Sequence, residues 1–268
     1  MESTHKKRIA TGLALALIPA LGILLGGWVL FGALTIFGAL TFIEYLDMFR
    51  PMRGEYVYKA LACAFTLLLL LSFQIATGTQ WPAITFIGAF WAAAMTFLLH
   101  YSADPQSTGF REPIVFLAGL AYIPLNLHFF LQFDRFECIL VILAATVSDT
   151  AAFYSGSIFG KRKIWPTVSP KKSWAGSFGG LGACMAMTLV FGLSFGNAPF
   201  WAWLVLGAAL NVAAQLGDFF ESAMKRVLGV KDSGSSLPGH GGLLDRIDSL
   251  LFVLPVYGCA RLLHAFFE

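Results

Sequence analysis

Apolar residues run through this chain in blocks too long for the core of a soluble domain, and polar residues collect in the gaps between them. Blocks of roughly 18–25 residues can cross a ~30 Å hydrocarbon core as helices. They fall at about 9–27, 28–47, 57–76, 82–100, 112–132, 136–159, 174–195, 199–221 and 243–267. The pattern predicts an all-α, polytopic membrane protein with about nine transmembrane helices. Composition agrees, since 57% hydrophobic and 12% charged residues leave too little polar surface to cover a soluble globule of 268 residues.

Charge sets the expected orientation, because Lys and Arg accumulate in short cytoplasmic loops. With the N-terminus inside, the inner segments carry Lys6, Lys7 and Arg8, then Arg50, Arg53 and Lys59, then Arg111. They continue with Lys161, Arg162, Lys163, Lys171 and Lys172, and end with Lys225, Arg226, Lys231 and Arg246. Of the 18 basic residues only Arg135 and Arg261 fall outside, which predicts N-in/C-out. Lys6 to Arg8 ahead of an apolar run also fits a secretory signal, but the run is long and only Gly26-Gly27 separates it from the next, so a retained helical hairpin is expected. The net charge of +3 follows the membrane side, and no arginine-aromatic patch points to nucleic acid. Cys63, Cys138, Cys184 and Cys259 are scattered through apolar spans and read as packing residues.

The chain reads as a single integral-membrane domain, 1–268, with no internal repeat. Residues 1–110 hold little intramembrane polarity and read as structural helices, with Gly22-x-x-x-Gly26 a close-packing pair. Glu44 and Asp47 are expected at the headgroup boundary beside Arg50, in a solvated salt-bridging cluster. From 111 to 268 the polar content rises, through Asn126, His128, Ser148, Asp149, Asn211, Gln215, Asp218, Glu221, Asp245 and Asp248. Ionisable groups at membrane depth are costly and line wet cavities or pair off, so this half is the catalytic one. Asn126 and His128 read as hydrogen bonds between helices.

The densest chemistry lies in Ser222–Asp248. Its order is Ser222-x-Met224-Lys225-Arg226, four residues, Lys231-Asp232-x-Gly234, then Leu237-Pro238-x-His240-Gly241-Gly242-Leu243-x-Asp245-Arg246-Ile247-Asp248. On a helix Asp218, Glu221, Ser222 and Lys225 share one face, as do Asp245 and Asp248. Two acidic faces around a glycine turn suit Mg²⁺, which takes carboxylates together with substrate phosphate oxygens. An acid–base lattice bridging helix ends is the alternative. The run resembles the signature of the CDP-diacylglycerol synthase (phosphatidate cytidylyltransferase) family without a mismatch. That resemblance implies an enzyme of phospholipid biosynthesis that joins CTP to phosphatidate and releases pyrophosphate. It further implies Mg²⁺ on Asp218 and Asp245 with room for a second cation, membrane lipids as surroundings, a homodimer, and a bacterial inner-membrane location with the site facing the cytoplasm.

A second loop, Gly160 to Gly176, sets lysines and hydroxyls ahead of the seventh span, and a helix N-terminus flanked by lysines receives anions. Headgroup anchoring accounts for Lys161 to Lys163. It does not account for Ser169-Pro170-Lys171-Lys172-Ser173, a block similar to a family motif for nucleotide phosphates, although Ala175 stands where many members carry an acidic or amide side chain. The candidate catalytic residues are therefore Asp218, Asp245, Lys225, Arg226, His240 and Asp248. Candidate substrate contacts are Ser169, Lys171, Lys172, Ser173, Asp149, Glu221, Ser222, Lys231, Asp232 and Arg246. His240 either donates to a phosphate oxygen or fixes the turn. Two rival functions share these features, a CTP-dependent lipid kinase moving the γ-phosphate and a secondary transporter.

Overall fold

The computed structural model describes residues 17, 19–75, 78, 80–106, 108–234, 236 and 241–267. Among these there is no strand, only an isolated bridge between Lys163 and Ser173. Helix α1 is described over 19–25 and is followed by α2 (Gly27–Met48), α3 (Glu55–Ile75), α4 (Gln80–Ala103), α5 (Arg111–Tyr122), α6 (Pro124–Leu127) and α7 (Phe129–Gln132). Then come α8 (Arg135–Phe159), α9 (Trp174–Phe195), α10 (Phe200–Val227), a 3₁₀ turn (Leu244–Arg246) and α11 (Asp248–Leu263). Taking α5–α7 as one span, seven described segments are long and apolar enough to cross a membrane. Most of the span expected at 9–27, with Lys6, Lys7 and Arg8, lies outside the described residues. The span expected at 243–267 is shorter than expected, because its first turn is the 3₁₀ segment and its α-helix has 16 residues.

The contacts gather the chain into two compact units, 1–132 with 232–245, and 133–231 with 246–268. The division falls at 132/133 and not at 110/111, because α5–α7 pack on α2 and α3. In the first unit, α1 turns into α2 through Gly26 and Gly27, whose φ values of 64° and 50° lie in the left-handed region that only glycine enters at no steric cost. Gly22 packs against Leu30, whereas Gly26 meets nothing, so the two glycines expected as a packing pair divide the work: one packs and one turns. Phe42 and Phe116 stack with ring centroids 5.6 Å apart at the core, among buried Leu69, Leu70, Leu120 and Ile123. Pro124 cannot donate to the helical ladder, and the broken segment repairs itself locally. Asn126 Nδ2 donates to the carbonyls of Ala121 (3.2 Å) and Tyr122 (2.8 Å), while His128 Nδ1 pairs with Leu125 O and its ring stacks on Phe73. These hydrogen bonds join the pieces of the broken α5–α7 span to one another.

In the second unit α8 packs on α9, α9 on α10, and α10 and α8 on α11. Asp134 opens α8 with a capping box, its side chain accepting from Glu137 N and the Glu137 side chain accepting from Asp134 N, both at 2.8 Å. The other oxygen of Glu137 accepts from the buried Tyr257 hydroxyl at 2.9 Å and from Arg261 Nε at 3.1 Å, which ties α11 to the start of α8. Halfway along, Ser148 Oγ donates to Asn211 Oδ1 (2.8 Å), Gln215 Nε2 donates to the same atom (3.0 Å), and Ser177 pairs with Gln215. This polar ladder satisfies amides that lipid could not and leads along α10 to Asp218.

Two outcomes are expected here. Tyr257→Phe removes a buried bond to a carboxylate and lowers unfolding stability by about 1–3 kcal/mol, read as a lower Tm. The far end of α8 stays unperturbed, since some twenty helical residues, ~30 Å of rise, separate Glu137 from Gly156. In a variant lacking its native cysteines, Lys161→Cys is labelled from the cytoplasmic side only, and Asn197→Cys, beyond the far end of α9, from the opposite side only; the reverse pattern would invert the orientation read from the charges.

Candidate active site

Where α8 ends and α9 begins, the second unit forms an open cavity of about 500 Å³. Small residues make room for it. The Cα of Gly176 would lie 3.5 Å from a Cβ at Gly156, so the two helices approach almost backbone to backbone. One wall carries Lys163, Lys171 and Lys172, another Asp149, Ser177, Gln215 and Asp218, and Ala152 with Phe153 supply an apolar side. Ser173, the N-cap of α9, also lines the cavity; its hydroxyl accepts from Gly176 N at 3.3 Å. The positive end of α9 therefore opens on the cavity beside three ammonium groups, an arrangement that receives phosphate.

The loop bearing the lysines is fixed from both sides. Trp174 N donates to Arg162 O (3.0 Å) and Lys163 Nζ to Lys171 O (3.3 Å), closing the loop on itself. Trp165 packs edge-on to Phe219 with centroids 4.7 Å apart, and Arg226 Nε donates to Val168 O at 3.4 Å, pinning the loop to α10. Lys172 Nζ lies 4.3 Å from the centroid of Phe219 and forms an ion pair with Asp218 Oδ2 at 2.5 Å. Ser222 Oγ donates to the other oxygen of Asp218 at 3.3 Å.

Asp218 is one of three carboxylates close enough to repel one another, with Asp149 and Asp248. Asp149 accepts from Ser249 Oγ at 3.0 Å, and Asp248 accepts from Ser249 N at 2.7 Å at the start of α11. Lys172 offsets part of that charge, and Lys225 acts on Asp248 but is itself bound to the buried Glu221 at 2.5 Å. Among the described residues no three His, Cys, Asp or Glu side chains form a ready-made metal cage. A partly neutralised carboxylate group beside this cavity nevertheless fits Mg²⁺, which relies on one or two carboxylates with substrate oxygens and water and not on an all-protein cage.

The other expected residues sort by position. Asp149, Lys171, Lys172, Ser173 and Asp218 line the cavity, whereas Ser169 does not and instead shapes the loop, its N–H donating to Trp165 O at 2.9 Å. Glu221 and Lys225 pair with each other one turn apart on α10, while Arg226, Lys231 and Arg246 are exposed. His240 lies outside the described residues. Asp232 and Asp245 belong to the first unit, where Asp232 is exposed and Asp245 Oδ2 accepts from Ser233 N (3.0 Å) and Gly242 N (2.9 Å). Ser177 lines the cavity without having been singled out, and so does Lys163, which the sequence reads as a headgroup anchor. The signal for Ser177 was its place one turn into α9, facing a glutamine in the next span.

Glu44 departs furthest from expectation. Asp47 does join the surface lattice, pairing with Arg50 (2.8 Å) and Lys59 (2.6 Å). Glu44, 5% exposed, is buried and binds the backbone N–H groups of Leu243 (2.6 Å) and Leu244 (3.2 Å).

With this geometry in place, comparison with known proteins is decisive. Residues 6–263 match the profile of the cytidylyltransferase family. The chain belongs to that family. It is 36% identical to a phosphatidate cytidylyltransferase of Thermotoga maritima over 213 residues, 76% of each chain. It is also 35% identical to one of Staphylococcus aureus over 258 residues, covering 94% of this chain and 96% of that one. A Staphylococcus epidermidis phosphatidate cytidylyltransferase is 33% identical over 257 residues, with the same coverage. As a cytidylyltransferase, the protein is a nucleotidyltransferase embedded in a membrane.

The ion pair of Lys172 with Asp218 yields a prediction that separates phosphate binding from lipid anchoring. Lys172→Arg keeps the charge but cannot occupy the compact position of the ammonium over Phe219, so turnover falls on the order of tenfold. Asp218→Asn falls by at least ~10²-fold, the scale of several kcal/mol of lost charge stabilisation. Initial rates against CTP in mixed micelles check both, and near-normal rates in the two variants would remove this cavity from the chemistry.

Proposed function

We propose that the protein transfers the cytidylyl group of CTP to phosphatidate, forming CDP-diacylglycerol and pyrophosphate. The observation that carries this reading is a lysine- and carboxylate-lined cavity at the N-terminus of α9 in a chain of this family. The phosphate of phosphatidate, with a second pKa near ~6 like other phosphomonoesters, is already a nucleophile near neutral pH and needs no strong general base. One of its oxygens bonds to the α-phosphorus of CTP, the bond from that phosphorus to the bridging oxygen breaks, and pyrophosphate leaves with the electron pair. The protein must bring two anions together in line.

Lys163, Lys171 and Lys172, with the N–H end of α9, neutralise the nucleotide phosphates, and the apolar side at Ala152 and Phe153 suits a lipid arriving laterally. Asp218, with Asp149 and Asp248 beside it, would hold Mg²⁺, and the sequence motif adds Asp245. When bound, the ion would supply charge neutralisation on the transferring phosphoryl group and orient the leaving group. The lysine and arginine distribution supports a site on the cytoplasmic face of the inner membrane, and the family resemblance supports a homodimer.

Purified protein given CTP labelled at the α-phosphorus, phosphatidate and Mg²⁺ in mixed micelles is expected to yield labelled CDP-lipid and stoichiometric pyrophosphate. Release of CDP without labelled lipid would instead indicate transfer of the γ-phosphate, and omission of Mg²⁺ should abolish the product.

A further inference from the structure

We infer that Glu44 is a positioning residue for the glycine loop that carries Asp245; the inference rests on the proposed cytidylyl transfer, in which Asp245 takes part. Glu44 sits on α2, 199 residues before the first N–H it binds. Its carboxylate, 5% exposed, accepts from Leu243 N at 2.6 Å and Leu244 N at 3.2 Å, the N–H groups that open the 3₁₀ turn Leu244–Arg246. N–H groups at the start of a helical turn have no partner within it, and an ionised acceptor makes the stronger kind of hydrogen bond to them. A buried carboxylate on a membrane helix is costly, and anchoring by surface lysines needs no such residue.

The loop is shaped to receive this side chain. A Cβ at Gly234 would come 2.8 Å from Glu44 Cδ, and one at Gly242 would come 2.7 Å from Glu44 Oε2. Both positions belong to the sequence signature; the carboxylate gives a physical reason for glycine at 234, and at 242 it shares that role with the Ser233 hydroxyl, which a Cβ would approach more closely still. Asp245 works from the other side of the same fold, its Oδ2 accepting from Ser233 N (3.0 Å) and Gly242 N (2.9 Å) while Ser233 Oγ accepts from Asp245 N (3.3 Å). Two carboxylates thus clamp one stretch of backbone. Glu44 fixes Leu243 and Leu244, the residues between Gly242 and Asp245, and so sets where Asp245 stands.

The test uses the full-length protein in lipid micelles and compares Glu44→Asp, Glu44→Gln and Gly234→Ala. Shortening the side chain by one methylene in Glu44→Asp withdraws the acceptor, and kcat is expected to fall on the order of 10²-fold, the penalty for a ~1 Å misplacement. KM for CTP should stay within about threefold, and the Mg²⁺ concentration for half-maximal rate should rise about tenfold or more, because the loss acts through a carboxylate proposed to hold the metal. Glu44→Gln keeps a carbonyl acceptor of the same reach and should recover most of the rate lost in Glu44→Asp. Gly234→Ala should lower kcat as well, and combining it with Glu44→Asp should cost less than the product of the single losses, since both act through one contact. Unchanged kcat and Mg²⁺ dependence in Glu44→Asp would overturn the inference. So would parallel losses of rate and Tm in all three variants with no recovery in Glu44→Gln, because that pattern marks a residue needed only for folding. Failure of the wild-type protein to form CDP-lipid would refute the proposed reaction itself.

Discussion

Asp149, Asp218 and Asp248 are gathered at one end of an apolar helical unit, and the cost of keeping their charges together governs how that end is built. Like charges at short range are costly wherever water is scarce. Lys172 is therefore brought to Asp218, held over the ring of Phe219, and carried on a loop that Trp165 and Arg226 fasten to α10. Hydroxyls do part of the work: Ser222 donates to Asp218 and Ser249 to Asp149. What these partners leave uncompensated is the charge that the proposed Mg²⁺ would neutralise.

Delivering lysines to carboxylates across three helices requires the helices to come close, and the sequence of α8, α9 and α10 is built for this. A Cβ at Gly180 would meet Ser148 O and Asn211 Oδ1 at 3.0 Å, so the same glycine that allows the approach leaves room for the amide of the polar ladder. The ladder gives the packed helices a defined register, because Ser148, Asn211, Gln215 and Ser177 find their partners in one alignment. Packing, polar satisfaction and the placing of Asp218 are thus consequences of the same close approach.

Much of this is legible in the chain. The apolar blocks mark the helices, the lysine loop names Lys171, Lys172 and Ser173, and the helical face shared with Glu221, Ser222 and Lys225 names Asp218 before any geometry is known. Length alone does not locate the break at Pro124, where the apolar run continues while the hydrogen-bond ladder stops and Asn126 takes up the exposed carbonyls. Nor does local spacing separate Glu44 from Asp47. Both lie within two turns of Arg50 in sequence, yet Asp47 faces Arg50 and Lys59 and Glu44 faces a loop some 200 residues away. A polar residue near a helix end reads as solvated unless the distant backbone that needs it is known, and only glycines with no turn to explain them hint at such a partner.

The two lysine–carboxylate pairs beside the cavity differ in a way that assigns them different work under the proposed reaction. Lys172 and Asp218 are paired at 2.5 Å with side chains 24% and 31% exposed, and pairs open to solvent contribute only about 0–1 kcal/mol. Such a pair exchanges partners at little cost, so arriving phosphates can take the ammonium while a cation takes the carboxylate. Lys225 and Glu221 are paired at the same distance, but Glu221 is 1% exposed. Separating that pair would strand a buried charge, which costs several kcal/mol. Lys225 is therefore retained by its helix and contributes a fixed positive potential at Asp248, whereas Lys172 can move from Asp218 onto the nucleotide. Within a single motif-rich region, degree of burial and not residue type separates the lysine that binds from the lysine that holds the frame.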